Sequence, residues 1–290
     1  MKVISLRKKL RYLLEALFIY SFYLTFKILG MKLSSQIGGS ILKFFSKFKQ
    51  ENNIAIQNIS MCLPQLSDNQ RKDIIRNTWK HFGSVIGEIP HWHTISRKEF
   101  FQRVEIKQEE NIPFTRAIIV SGHIGNWELI SRIAKEYNIK LNILYRASNN
   151  PYVDYLINKI RKSHKVILIL KGDMEVRKII NALNNNEVVG MMIDQRIDDG
   201  INTPFFSKNA MTTPLPANIA MKYKVPIIPI NTISVGSSKY IIEFHKPLKI
   251  DKNSTKYTIT KEINLIIEKW ITKHPEQWLW FHDRWGTNKK

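Results

Sequence analysis

The pattern of apolar positions changes near Phe100. Downstream of it, short apolar runs alternate with longer amphipathic stretches. The runs are Ala117–Val120, Leu141–Tyr145, Val166–Leu170, Val188–Ile193 and Val225–Ile230. Between them lie Glu128–Tyr137, Tyr152–His164, Met174–Asn184 and Leu215–Lys224, with helical spacing. Strands alternating with helices predict βαβ crossovers, hence an α/β fold with a mainly parallel central sheet flanked by helices. Ile227–Val235 and Tyr240–Phe244 bracket Gly236-Ser237-Ser238, which predicts one antiparallel hairpin. A helix over Lys256–Lys273 and an aromatic tail follow.

Upstream of Phe100 the pattern is helical. Asn52–Met61 is amphipathic and ends before Pro64, and Ser67-Asp68-Asn69-Gln70 has the form of a helix start. The N-terminus pairs a basic segment (Lys2, Arg7, Lys8, Lys9, Arg11) with the apolar stretch Tyr12–Leu29, which Glu15 and Lys27 interrupt. Its clean part, Ala16–Phe26, is too short to cross a bilayer. No small-residue cleavage site follows it. It reads as an uncleaved membrane-docking helix, interfacial or marginally spanning, with a buried core helix as the alternative. The chain divides into 1–30, a basic segment with a membrane-associated helix, and 31–290, a helical lead-in (31–100) with an α/β core (101–290).

Composition adds two points. The chain has 290 residues, 43% of them hydrophobic, which suits a sizeable core and not a polytopic membrane protein. Lys and Arg number 45 against 24 Asp and Glu, a formal charge of +21, which points to an anionic partner. The basic residues are spread along the chain, and no nucleic-acid-binding motif accompanies them. Cys62 is the single cysteine, so no internal disulfide forms. His91-Trp92-His93 lacks an evident third metal ligand and reads as an exposed loop.

The densest chemistry follows the run Ala117–Val120, in Ser121-Gly122-His123-Ile124-Gly125-Asn126-Trp127-Glu128. His123 and Glu128 are too far apart in sequence to share a face of one helix. They meet only if the chain turns between them, as Gly122 and Gly125 permit. Glu128 would stand in the first turn of the next helix, and a histidine oriented by a carboxylate is a general base. The same pair is also a common structural hydrogen bond. In open α/β sheets, sites gather at the carboxyl ends of strands. Arg146 follows Leu141–Tyr145, and Asp194, Gln195 and Arg196 follow Val188–Ile193, so three polar clusters fall at one predicted sheet edge.

Gly122–Glu128 resembles the H-x4-D/E box of lysophospholipid acyltransferases, and most closely the H-F/I-G-N-W-E form of the bacterial lipid A biosynthesis late acyltransferases, the lauroyl and myristoyl transferases. Further matches run in order: Tyr145-Arg146 with Asn150-Pro151; Asp194-Gln195, Pro204-Phe205-Phe206, Thr212 and Pro216-Ala217; and Pro275–Trp285, which resembles P-E-Q-W-x-W-x-H-R-R-W. Asn58–Pro64 resembles the helical approach of the same family. The departures are Ser207 and Leu215 for usual glycines, Ala147 for a proline and Asp283 for an arginine.

The resemblance implies a glycerol-3-phosphate acyltransferase-like fold. It also implies acyl transfer from acyl-acyl carrier protein to a hydroxyl of a Kdo-bearing lipid A precursor, at the cytoplasmic face of the bacterial inner membrane. His123 would take the acceptor proton and Glu128 would hold the imidazole. Gly125 and Asn126 backbone groups or Arg146 would meet the oxyanion. Arg146, Arg196 and Arg284, beside Asp194 and Gln195, would contact substrate, with a structural ion pair as the alternative for each arginine. Phe205 and Phe206 would line an acyl groove, with core packing of a long loop as the alternative. No metal or bound organic cofactor is implied. The partners are acyl carrier protein and an anionic membrane lipid, with no nucleic acid. Trp270, Trp278, Trp280 and Trp285 are candidates for the membrane interface, with core packing of the last helix as the alternative, favoured for Trp270. Two alternatives stand beside this reading: the same chemistry on another lipid acceptor, such as a glycerophospholipid, and a non-catalytic basic module binding membranes or nucleic acid.

Overall fold

The computed structural model describes residues 5–172 and 174–287. The start of the basic segment, residues 1–4, therefore lies outside the described residues. Five helices come first: α1 (Leu6–Leu29), α2 (Met31–Phe45), α3 (Glu51–Cys62), α4 (Asp68–Trp92) and α5 (Arg97–Arg103). Ser67 and Gln70 form a reciprocal capping box at the start of α4, as the sequence predicts. Where α2 crosses α4, Gly38 faces Gly83 so closely that a Cβ on either would strike the other's carbonyl oxygen. Glycine is what permits that approach.

The α/β core follows: β1 (Val104–Lys107), β2 (Ala117–Ser121), α6 (Leu129–Glu136), β3 (Leu141–Tyr145), α7 (Pro151–Ser163), β4 (Ile167–Leu170), α8 (Glu175–Asn184), β5 (Val188–Met192), β6 (Ile201–Phe205), β7 (Lys208–Thr212), α9 (Leu215–Tyr223), β8 (Ile227–Gly236), β9 (Lys239–Phe244) and α10 (Lys256–Lys273). Seven strands form one sheet in the order β1-β9-β8-β2-β5-β3-β4. Its pairs are parallel except β8 with β9, the predicted hairpin.

Side chains alternate across the sheet, so it is buried on both faces. Ile118 and Val120 of β2 pack with α8, α9 and α10, through Ile179, Ala217 and Ile267 among others. Ala117 and Ile119 face the opposite way, with Leu129 and Ile133 of α6, Trp92 and Phe100. The β6–β7 hairpin and β1 are not legible in the hydrophobic pattern; among the described residues β6 and β7 pair only with each other.

The tail tryptophans are not interfacial. Trp270, Trp278 and Trp280 are buried and Trp285 packs against the same cluster, because the tail folds back onto the sheet instead of leaving it. His91 is likewise not on an exposed loop. It sits in the last turn of α4, where its Nε2 meets the Phe26 carbonyl, while His93 meets the Tyr23 hydroxyl.

Candidate active site

β2 and β5 are parallel neighbours with Ser121 opposite Met192. Two residues past each of these strand ends stand His123 and Asp194. The register therefore brings them together, and it does so closely: Asp194 Oδ1 lies 2.7 Å from His123 Nδ1. Asp194 Oδ2 accepts from the His123 backbone N–H at 2.7 Å and from the Trp278 indole N–H at 2.7 Å. The carboxylate is buried, 1% exposed, whereas the imidazole keeps 20% of its surface. Burial alone would lower the imidazole pKa. The Asp194 charge and hydrogen bond, with the Glu128 field added, outweigh it and hold the imidazole above its ordinary value. Burial alone would raise Asp194, but His123 and the two N–H donors bring it down to about 2.

This corrects the expectation for Glu128. It caps the start of α6 and makes no hydrogen bond to His123. Its carboxylate takes both arms of Arg161 on α7, at 3.0 and 2.5 Å. The chain does turn at Gly125 (φ +60°), but that turn seats the loop against β8, where a Cβ on Gly125 would strike the Thr232 carbonyl. Glu128 is thereby carried toward α7, and the carboxylate at the histidine comes from the neighbouring strand.

The loop is fixed from outside. The Gly125 N–H donates to the Gln277 carbonyl at 2.9 Å and the Leu279 N–H to the His123 carbonyl at 3.2 Å. The Gly125 carbonyl meets His81 Nε2 of α4 at 3.1 Å. The Gly125 N–H is thus spent and is not the oxyanion donor anticipated for it. Asn126 is buried, 1% exposed, and does not line the cavity described next.

A cavity of about 630 Å³ opens at His123. Arg146, Arg161, Lys171, Gln195 and Arg196 line it, so the three predicted strand-end clusters do meet in one place. Trp127 and His282 line it as well; the Trp127 ring stands 5.0 Å from the His123 ring. His282 Nε2 accepts the Arg196 backbone N–H at 2.9 Å, and burial keeps this imidazole below its ordinary pKa. Away from the polar end the wall is apolar. Ile119, Gly190 and Ile143 form one transverse row across β2, β5 and β3 and line the cavity. The next row on that face, Ala117, Val188 and Leu141, is buried and does not line the cavity.

Arg284, Phe205 and Phe206 do not line this cavity. Arg284 is fully buried; it donates to the Met211 carbonyl at 2.7 Å and to Thr212 Oγ1 at 2.5 Å. Burial lowers its pKa to about 10. Phe205 lies under that guanidinium, 5.0 Å away, and stacks on Trp285. Phe206 stands in the left-handed turn of the β6–β7 hairpin (φ +52°) and packs against the core. The unpredicted hairpin is the physical reason: it carries all three contacts into the core. The sequence reading did not single out Arg161, and it placed Trp278 in the terminal motif and among the membrane candidates without giving it a role at the site. Neither has a local signal, since each reaches its carboxylate across a crossover.

A sequence model described as bacterial lipid A biosynthesis acyltransferase matches residues 4–287. A lipid A biosynthesis acyltransferase of Haemophilus influenzae is 24% identical over 253 residues, 81% of this chain and 77% of that protein. The lipid A biosynthesis palmitoleoyltransferase of Escherichia coli is 24% identical over 273 residues, 88% of this chain and 84% of its own. The lauroyltransferase of the same organism is 24% identical over 278 residues, covering 88% and 85%. With the match extending over nearly its whole length, the chain belongs to the bacterial lipid A biosynthesis acyltransferase family.

Proposed function

We propose that this acyltransferase moves a fatty acyl chain from acyl-acyl carrier protein to a hydroxyl of a Kdo-bearing lipid A precursor, with His123 as general base, at the cytoplasmic face of the inner membrane. The observation that carries the chemistry is the bond from His123 Nδ1 to buried, ionised Asp194. It fixes the tautomer and leaves Nε2 to take a proton at the cavity. The acceptor O–H gives its proton to Nε2 as its oxygen attacks the thioester carbonyl. The C–S bond then breaks, and the departing thiolate takes the proton from the imidazolium, giving ester and thiol. Asp194 stabilises the cation formed in between. Neither a metal nor an organic cofactor enters this step.

The remaining lining supports the substrate class. Arg146, Lys171 and Arg196 suit phosphates and carboxylates of the acceptor, or the oxyanion, and guanidinium groups bind such oxygens in bidentate fashion. The apolar row Ile119–Gly190–Ile143 suits the acyl chain. The net charge of +21 suits an acidic carrier protein and an anionic lipid.

The test is acyl transfer by the purified full-length protein in detergent, using a panel of acyl-acyl carrier proteins and the Kdo-bearing precursor, with mass spectrometry of the lipid. Added acyl mass from the wild type and almost none from His123→Ala is the expected result. No product with this acceptor, but transfer to a glycerophospholipid, would overturn the acceptor assignment. Full activity of His123→Ala would overturn the mechanism.

A further inference from the structure

Helix α1 is apolar on two opposite sides. One side meets the body of the protein: Tyr12, Ala16 and Phe26 are buried. Polar ties accompany them. Asn150 at the start of α7 donates to the Tyr12 carbonyl at 2.9 Å and to Glu15 Oε2 at 3.0 Å. The Tyr20 hydroxyl donates to the Tyr152 carbonyl at 3.3 Å, and Ser34 of α2 donates to the Phe26 carbonyl at 2.7 Å. The attachment runs from Tyr12 to Phe26, roughly 21 Å of helix at 1.5 Å per residue. The other side is a leucine stripe at spacings of three, four and seven residues, Leu6, Leu10, Leu13, Leu17, Leu24 and Ile28, widened by Leu14 and Phe18, all from 48% to 86% exposed.

By length and apolar composition alone, this 24-residue helix could cross a bilayer. Its attachment does not allow it. A bilayer core is about 30 Å thick, so the attached stretch would occupy most of it. Crossing would draw the flanking parts of α7 and α4 into hydrocarbon, with Asp154, Asn158 and Lys159 on the former and His93 after the latter. Charged and polar groups at that depth are strongly disfavoured.

We propose that α1 lies flat in one leaflet of an anionic phospholipid bilayer, leucine stripe inward, with the protein body on the aqueous side along its whole length. The charges fit this occupant. Arg7, Lys8, Lys9 and Arg11 cluster at one end of the helix and Lys27 stands at the other, where phosphate headgroups meet them. The orientation has a consequence for access. Asn150 joins α1 to the loop that follows β3, and Arg146 in that loop lines the catalytic cavity. The loop that carries Arg146 into the cavity is thereby tied to the helix that lies on the lipid. This inference does not depend on which lipid accepts the acyl chain.

The test uses full-length protein with Cys62→Ser and single cysteines in place of Leu10, Leu17 or Leu24, nitroxide-labelled and bound to phosphatidylglycerol–phosphatidylethanolamine vesicles. Depth is read by oxygen and nickel-chelate accessibility. Similar, shallow depths at all three positions are expected. A profile with Leu17 deepest and the other two rising toward opposite surfaces would overturn the proposal. So would labels that stay water-exposed, or labels on separate copies that couple to one another, which would give the stripe to a second chain. A membrane-impermeant maleimide supplies the second reading: cysteines at Ser5 and Lys256 are expected to react from the same side of the membrane, and opposite sides would overturn it. Leu17→Asp with Leu24→Asp should lower vesicle binding about tenfold or more while leaving transfer in detergent unchanged. None of the depth or labelling readings uses catalysis, so failure of the proposed reaction would leave them interpretable.

Discussion

The loop at His123 and the segment Pro275–Trp285 are the two most motif-dense stretches of the chain, and they lie against each other. Ile124 pairs with Trp278, and the Gly125 N–H donates to the Gln277 carbonyl. Their duties differ. The first presents an imidazole to a cavity. The second sends Trp278 to the back of Asp194 and buries Trp280 and Arg284 entirely. An arginine within a terminal motif suggests anion binding, yet the two terminal nitrogens of Arg284 donate to a carbonyl and a hydroxyl of β7. Side-chain type does not separate a residue that reacts from one that holds the reacting residue still; exposure to the cavity does. Positioning of this kind matters because catalytic rates are sensitive to small displacements of the reacting groups.

The comparison breaks most readily at the dyad. His123→Ala should lower kcat by about 10²–10⁴-fold with little change in thermal stability. Asp194→Asn should cost about as much, since it removes the partner that fixes the tautomer. Their pH profiles separate a base from a structural histidine. A base must be neutral, so activity falls as pH drops through its pKa. The Asp194 charge holds that pKa above 6.5, and the acid limb of kcat/KM should lie above this value. In Asp194→Asn only the weaker Glu128 field still opposes burial, so the limb should move to lower pH. An unmoved limb would mean that Asp194 does not act on His123.

The bracing segment should answer in stability instead. Arg284→Met removes two charge-assisted hydrogen bonds, to the Met211 carbonyl and the Thr212 hydroxyl, and leaves them the Ile197 N–H and the Asn264 amide as donors, at a cost of about 2–4 kcal/mol. A fall in Tm of roughly 5–10 °C, with KM for the anionic acceptor unchanged, is expected from differential scanning fluorimetry and steady-state kinetics. A raised KM at unchanged Tm would return Arg284 to the ligand-binding set and erase the distinction between the two segments.

Much of this architecture was legible in the sequence. β3 and α10 begin and end where the apolar pattern places them, and the strands that carry His123, Arg146 and Asp194 are identifiable as buried runs. Strand-end logic gathers those three residues at one edge. The pairing between them was not legible. Glu128 is near His123 along the chain, and Asp194 is far from it. Only the adjacency of β2 and β5 reverses that order, and hydrophobic periodicity carries no information on strand order. The β6–β7 hairpin escaped for a related reason. Ile201–Phe205 has a polar Asn202 and a Pro204 inside it, so its apolar run is broken. Without that hairpin, the sequence leaves ligand contact open for Phe205 and Arg284 beside core packing and an ion pair.

Glu128 occupies the middle ground, lining the cavity without bonding the base. Its charge helps keep the imidazole basic, and its bidentate pair holds Arg161 beside Tyr145. Glu128→Gln should lower kcat by about tenfold, between the dyad and the structural variants, because both the field and the pair weaken. A double-mutant cycle with Arg161→Met decides how the effect divides. Strong coupling assigns it to the pair; additive losses assign it to the field on His123.

The smallest effect is expected where the cavity offers no functional group at all. Gly190 lies in the centre of the apolar row with Ile119 and Ile143, and a Cβ there would meet Leu141 Cδ1 at 3.5 Å, an ordinary contact. Alanine or leucine should fit the fold and occupy part of the cavity. Each methylene no longer buried costs about 0.8 kcal/mol, roughly fourfold in kcat/KM. Gly190→Leu should therefore shift preference toward donors about two to four carbons shorter, while the best donor keeps its rate within a few-fold. Gly190→Ala should shift it less. A competition assay with mixed acyl-acyl carrier proteins reads this directly. Equal loss for every chain length at unchanged Tm would place the acyl chain elsewhere. A shift in preference would show that a residue facing the cavity with no reactive atom can set which substrate reacts, just as a residue with reactive atoms, Arg284, can serve only to keep the site in place.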